Sequence, residues 1–326
     1  MRQPATANPR TTSGSHRLST QHVNELDDAM ASVRRSERPL LCVRRRDFAL
    51  PTLATEMRSI AGAVEERDGF AVVRGLAAHR YSAHGLRMLL WAVGQHLGMP
   101  VSQTADGHMV RSVSAATAGR PATGGSDLTA YLVTASGARA AFACAESLVR
   151  EVYARRPDLA ERLTGRYAFD RGDAQGTGEK PYRLLPLTCH VGGRLSMRYV
   201  RADIETAHAR PDVPSLEDAD IELFDLIDEI AADERHHVDV SLEPGDLVLV
   251  DSYSTLHMLA ADTGTNPHLL RIWLTLPAGR ELPAGFTWDS PGYGGSGGRG
   301  GVVPRDVISL PPREAVPWSP HLATAI

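Results

Sequence analysis

The last third of this 326-residue chain is a succession of apolar segments that suit strands and not packed helices. HVDVSL (237–242), DLVLVDSY (246–253) and HLLRIWLTL (268–276) are short, rich in Val, Leu and Ile, and bounded by turn residues. Pro244-Gly245 stands between the first two, a dipeptide that marks a tight turn. Earlier in the chain LTAYLVT (128–134) and RAAFACA (139–145) repeat the arrangement around Ser136-Gly137, and GFAVVRGL (69–76) is one more buried strand. Such short strands cannot bury an apolar face singly, so they must pair into sheets that pack on one another or close into a barrel.

Helices are expected mainly before and between these strands. Residues 50–69 carry helical spacing through Leu53, Met57, Ile60 and Val64 and stop at Gly69. Residues 82–98 form a strongly apolar helix closed by Gly98 and Pro100, and 146–165 read as two helical pieces, the second starting at Pro157. The clearest helix is Ser215 to Glu234, with Ser215 as N-cap and Ile221, Leu223, Phe224, Ile227 and Ile230 as its buried face. GRLSMRYVRADI (193–204) has a strand rhythm, which would put Asp203 and Glu205 on a solvated strand edge. The fold class expected is mainly β with flanking α.

Residues 1–46 are expected to be a disordered or loosely ordered leader, since the first 21 are rich in Ser, Thr, Pro, Arg and Gln. Residues 47–326 then make one domain with inserted helices and a glycine-rich C-terminal loop, GYGGSGGRGG (292–301). A net charge of −4 and a pI near 6.4 argue against nucleic acid as partner, and Arg44-Arg45-Arg46 reads as a solvated edge. Cys42, Cys144 and Cys189 are too few and too scattered for a disulfide framework or a closed zinc site, which suits a reducing, cytoplasmic setting. No apolar run reaches the ~18–20 residues that span a bilayer, and the N-terminus has no signal-peptide core. The glycine-rich loop has no strand before it or helix after it and fails the context test for nucleotide binding; no G-x-S-x-G elbow occurs.

Several segments in order resemble one family. GFAVVRGL, the helix ending LGMPVSQ, GSDLTAYLVTASGARA, RRPDLAERLTGRYAFDR, GRLSMRYVRADIE, LEPGDLVLVDSYSTLHM and HLLRIWL are similar to clavaminate-synthase-like and taurine-dioxygenase-like Fe(II)/2-oxoglutarate oxygenases. The resemblance runs from about Pro51 to Val303 and implies a double-stranded β-helix (jelly roll). It also implies a pocket for two imidazoles and one carboxylate on iron, with an Arg gripping the oxoacid. His257 falls at the distal imidazole and Arg271, 14 positions on, at the oxoacid clamp. At the proximal ligands, however, stand Ala122 and Gly124 of ATGGSD (122–127), and Ala140 and Leu259 replace further polar positions.

The site expected from these residues comprises His257 as acid or base, and Arg271, Gln103, Asp127 and Arg198 as groups that hold a small carboxylate or amino-acid-like ligand. Neither metal nor cofactor is expected. The chain is then a repurposed oxygenase fold, either a metal-independent enzyme or a binding protein, with an intact paralogue as a conceivable partner subunit and natural-product biosynthesis as the setting. The alternative is an Fe(II)/2-oxoglutarate oxygenase, hydroxylase or halogenase-like, with non-standard ligands. Other histidines have plainer readings: His96 as packed, His108 as a loop residue near the missing pair, His190 beside Cys189, and His236-His237 as solvated. Arg271, on a core strand, needs an anion, and Asp127 and Asp251 are the nearest internal candidates.

Overall fold

The computed structural model describes residues 14–114, 119–176, 178–261, 268–276, 279–283, 285–286, 300–302 and 304. In chain order the elements are β1 (Ser15–Arg17), α1 (Thr20–Ser36), α2 (Leu53–Ala63), β2 (Phe70–Arg74), α3 (Ala83–Leu97), β3 (Met99–Val101), β4 (Val110–Ser114), β5 (Leu128–Val133) and β6 (Ala138–Cys144). There follow α4 (Ala145–Arg155), β7 (Arg166–Asp170), β8 (Tyr182–Pro186), β9 (Thr188–Val191), β10 (Arg194–Met197), α5 (Arg201–His208), α6 (Asp218–Ala232), β11 (His237–Leu242), β12 (Leu247–Asp251), β13 (Thr255–Ala261) and β14 (His268–Thr275).

The strands form a double-stranded β-helix. The larger sheet runs β1-β2-β12-β5-β14-β3, with β4 also on β14, and the smaller runs β11-β6-β13. The period-2 alternation of the strands sorts their side chains between two layers. Phe70, Val72, Tyr131, Val133, Val248, Val250 and Leu269 turn inward and meet Ala140, Phe142 and Leu259 of the smaller sheet. Phe70 stacks on Phe142 across that interior, with ring centroids 4.1 Å apart. The intervening Ala71, Val73, Ala130, Leu132, Leu247, Leu249 and Ile272 turn outward and are covered by α1, α2 and α3. A second helical layer, α4 to α6 with β7 to β10, packs on the smaller sheet through Ala143 and Leu256.

Three expectations are corrected. The stretch from 14 to 46 is folded and not a loose leader: α1 is capped by Ser19, whose hydroxyl accepts from His22 N, and buries Leu26, Ala29, Met30 and Val33 at helical spacing. That stripe lies among mostly polar residues, which hid it; residues 1–13 lie outside the described ones. The helix expected from Ser215 starts at Asp218, because Glu217 N donates to Asp220 Oδ2 (2.9 Å) and this capping box satisfies the first turn. Ile221 is 41% exposed, on the flank shared with Asp225, while Leu223, Phe224, Ile227 and Ile230 are buried as expected. GRLSMRYVRADI is a strand only to Met197; Asp203 and Glu205 belong to α5, where Arg201 Nε donates to Glu205 one turn on (2.6 Å).

Among the described residues no helix is long and apolar enough to cross a membrane. The glycine-rich loop lies outside the described residues except Gly300 and Gly301, whose backbone meets Ser126 and Gly125.

Candidate functional site

The inward-facing row of the larger sheet changes character at one end of the sandwich. Along β14, Leu269 is followed on the same face by Arg271 and Trp273, and in the register of β5 against β14 Tyr131 lies directly opposite Arg271. On β13 the same alternation puts His257 beside the inward Leu259. Ala122 bridges to His257 through both backbone hydrogen bonds, Ala122 N to His257 O (3.1 Å) and His257 N to Ala122 O (2.9 Å). Such a pair presents both side chains on one face. Around these residues lies a cavity of about 710 Å³, whose wall is completed by Arg198 and Asp203.

Arg271 is held from below and open above. Its Nε donates to Gln103 Oε1 (2.7 Å), and Gln103 Nε2 donates to the carbonyls of Arg271 and Met109 (2.8 Å each). The guanidinium carbon lies 5.0 Å from the ring centre of Trp273, within cation–π range. Gln103 therefore acts by orienting the guanidinium. Four of the cavity's other arginines have carboxylate partners at ion-pair distance, Arg111 with Asp173 (2.7 Å), Arg120 with Glu205 (3.1 Å), Arg171 with Glu179, and Arg201 with Glu205, Asp225 and Asp228, and a fifth, Arg198, has Asp203 as a charged neighbour. Among the described residues Arg271 has no ion pair.

Neither carboxylate expected beside Arg271 is there. Asp127 is buried behind the wall, where its Oδ2 accepts from Leu276 N (2.8 Å), so it does not line the cavity as expected. Asp251 is 1% exposed and paired with Arg280, itself 6% exposed. Arg198 does line the cavity, fully buried, with Asp203 as a charged neighbour. Burial pushes Asp203 up to about 6, Arg198 opposing the shift and Asp170 adding to it.

His257 is 7% exposed, with Nε2 2.8 Å from the hydroxyl of Tyr131 and Nδ1 buried without a hydrogen-bond partner among the described residues. Burial, with Arg271 adding to it, pushes its pKa down to about 4. At neutral pH His257 is therefore uncharged and can accept a proton but not supply one.

Ala122 stands beside His257, as expected, and Gly124 also lines the cavity. A Cβ on Gly124 would lie 2.3 Å from Ser252 Oγ, 2.5 Å from Thr129 Oγ1 and 2.7 Å from Ser252 Cβ. The remaining histidines lie apart. His96 is packed, its Nε2 2.7 Å from Phe48 O, and His108 meets Thr104 Oγ1 through Nδ1 (2.9 Å) at a different, shallow pocket. Cys189 and His190 are on β9, and His236 and His237 lie at the start of β11. Among the described residues no group of three or more His, Cys, Asp or Glu side chains could hold a metal ion.

Tyr131 and Trp273 are cavity residues absent from the expected site, and Asp203, expected on a solvated edge, lines the cavity too. Alternation along LTAYLVT and HLLRIWL was the available signal, since Tyr131 and Trp273 share the parity of inward residues; Asp203 was concealed by the unexpected helix.

The dioxygenase family described as taurine catabolism dioxygenase TauD, TfdA family, matches residues 36–273. FR-33289 synthase of Streptomyces rubellomurinus (strain ATCC 31215) is 26% identical over 262 residues, covering 70% of this chain and 76% of that protein. Among solved structures, asparagine oxygenase in complex with Fe(II), 2S,3S-3-hydroxyasparagine and succinate superposes with a TM-score of 0.59 at 16% identity, over 80% of this chain and 93% of that one. The non-heme iron oxygenase OrfP in complex with Fe does so with a TM-score of 0.59 at 15% identity, over 81% and 94%. With the match spanning well over half of its length, the chain belongs to the TauD/TfdA dioxygenase family.

Proposed function

We propose that this chain uses the pocket of an oxygenase fold to bind a small carboxylate, amino-acid-like metabolite without iron. The observation that carries the reading is Arg271: a cation on a core strand, oriented by Gln103, facing a cavity of about 710 Å³ and lacking a carboxylate partner among the described residues. A guanidinium placed so is costly unless an anion answers it. Asp203 and Asp170, which also line the cavity, suit the ammonium of a zwitterion. The solved relatives support an amino-acid-like ligand, since OrfP is described in complex with L-Arg and asparagine oxygenase with 3-hydroxyasparagine.

The donor set does not fit Fe(II). One imidazole, an alanine and a glycine cannot supply the two imidazoles and one carboxylate that such a centre uses. What remains is a neutral His257 whose Nε2 is taken by the Tyr131 hydroxyl, so that it acts through that phenol on a ligand anchored on Arg271, in a natural-product pathway or as the binding partner of an intact paralogue. Family membership favours the second reading, an Fe(II)/2-oxoglutarate oxygenase with other ligands, but no described residue supplies them.

Calorimetric titration with 2-oxoglutarate, succinate, L-asparagine and L-arginine tests the reading. At least one should bind, Arg271→Ala should abolish binding, and His257→Ala should preserve it while removing turnover of whichever compound is consumed. Unaltered binding by Arg271→Ala would refute the assignment.

A further inference from the structure

Tyr131 and His257 meet across the cavity wall through a buried hydrogen bond. Tyr131 is 3% exposed, its hydroxyl lies 2.8 Å from Nε2 of His257, and the rings sit 5.5 Å apart, tilted by 58°. The register of β5 against β14 also sets Tyr131 directly opposite Arg271, so the two side chains rise from neighbouring strands on one face. Gln103, Arg271, Tyr131 and His257 thus form one continuous row along the cavity wall. The imidazole can hold neither a metal nor a ligand through Nε2 while the phenol occupies it, and Nδ1 is buried.

We infer that Tyr131 has taken over the place of a metal in this pocket: its hydroxyl closes Nε2 of His257 and, with the Arg271 guanidinium, makes a two-point site for one carboxylate of the ligand. The second half rests on the carboxylate reading given above; the first half does not. A phenol and a guanidinium side by side are both donors, so they meet the two oxygens of one carboxylate without any further cation. On this account the ligand touches Tyr131 and Arg271, and His257 is a positioning residue that acts through the phenol. For the phenol proton to reach the carboxylate, the neutral imidazole must be the Nε2–H tautomer and donate to the phenolic oxygen, and that bond fixes where the oxygen stands.

Two titrations separate the halves. In the first, Co(II) is added up to millimolar concentration to Ala122→His and to Ala122→His/Tyr131→Phe, followed by visible absorption and with circular dichroism as the check on folding. Removing the hydroxyl should tighten Co(II) binding roughly tenfold or more, the equivalent of one buried hydrogen bond that no longer has to be broken. Equal affinity, or no binding to either variant, overturns the blocking role. In the second, succinate and 2-oxoglutarate are titrated against the unaltered chain, Tyr131→Phe and Arg271→Ala, none of which depends on a new side chain fitting at position 122. Tyr131→Phe should weaken binding roughly tenfold with an unchanged dichroism spectrum, as loss of one charge-assisted hydrogen bond requires. Full affinity in Tyr131→Phe with loss in Arg271→Ala overturns the two-point site and leaves the carboxylate reading standing. No loss in either variant, or no binding by the unaltered chain, overturns the carboxylate reading itself, while the Co(II) arm still decides the role of Tyr131.

Discussion

Replacing Gly124 by Ala should destabilise the protein, although alanine is among the least demanding of substitutions. The added Cβ would stand 2.7 Å from Ser252 Cβ, where carbon atoms prefer about 3.5–4.0 Å. It would also stand 2.3 Å from Ser252 Oγ and 2.5 Å from Thr129 Oγ1, two hydroxyls that hydrogen-bond to each other at 2.9 Å. Both residues are fully buried, and the Ser252 backbone is tied to Asp127 O (3.1 Å), so neither can retreat cheaply. Overpacking of this kind costs about 1–3 kcal/mol and the Thr129–Ser252 bond adds about 1. The reduced freedom of an unfolded alanine returns about 0.5 kcal/mol, leaving a net loss of about 1.5–3.5 kcal/mol. Urea unfolding with linear extrapolation reads that difference directly. A change smaller than about 0.5 kcal/mol would show that the 124 region yields freely and that the packing argument is wrong. Gly124→Asp carries the same Cβ and a buried carboxylate besides, so a metal donor at 124 is not one substitution away.

Two further outcomes follow from the buried ionisable groups. His257 is held at about 4 in the folded chain against about 6.5 unfolded, so the unfolded state binds more protons between those values; stability should fall as pH drops through that window, by up to about 3 kcal/mol. Asp203, raised to about 6, contributes in the opposite sense over part of the same range, so the quantity to measure is the difference between the wild-type profile and that of His257→Gln; a difference under about 1 kcal/mol at pH 4.5 would sink the assignment. Asp251→Asn leaves Arg280 buried without its counter-charge, and should cost about 3–5 kcal/mol in the same unfolding assay; near-neutrality would mean that the pair is dispensable.

The β-core was legible because its information is local. LTAYLVT, DLVLVDSY and HLLRIWL each declare a strand by composition and a face by alternation, and all three lie in the larger sheet. The position of Ala122 beside His257 was also legible, through the order of family segments. What escaped was whatever depends on partners distant in sequence. Asp127 and Asp251 were equally plausible counter-charges for Arg271, and only the fold assigns them to Leu276 and Arg280. The folded state of α1 depends on a four-residue apolar stripe finding the α2–α3 layer, a contact that no local pattern announces. Tyr131 was legible as an inward residue, yet its meeting with His257 joins two strands on opposite sheets, 126 positions apart.

The central claim is that Arg271 holds a ligand carboxylate without a metal. Its most direct test is a titration of succinate and 2-oxoglutarate into the purified chain, run once in excess chelator and once with Fe(II) added under anaerobic conditions. The account predicts the same affinity in both, abolished by Arg271→Ala. Binding that appears only when Fe(II) is supplied, with stoichiometric iron retained by the chain, would contradict it.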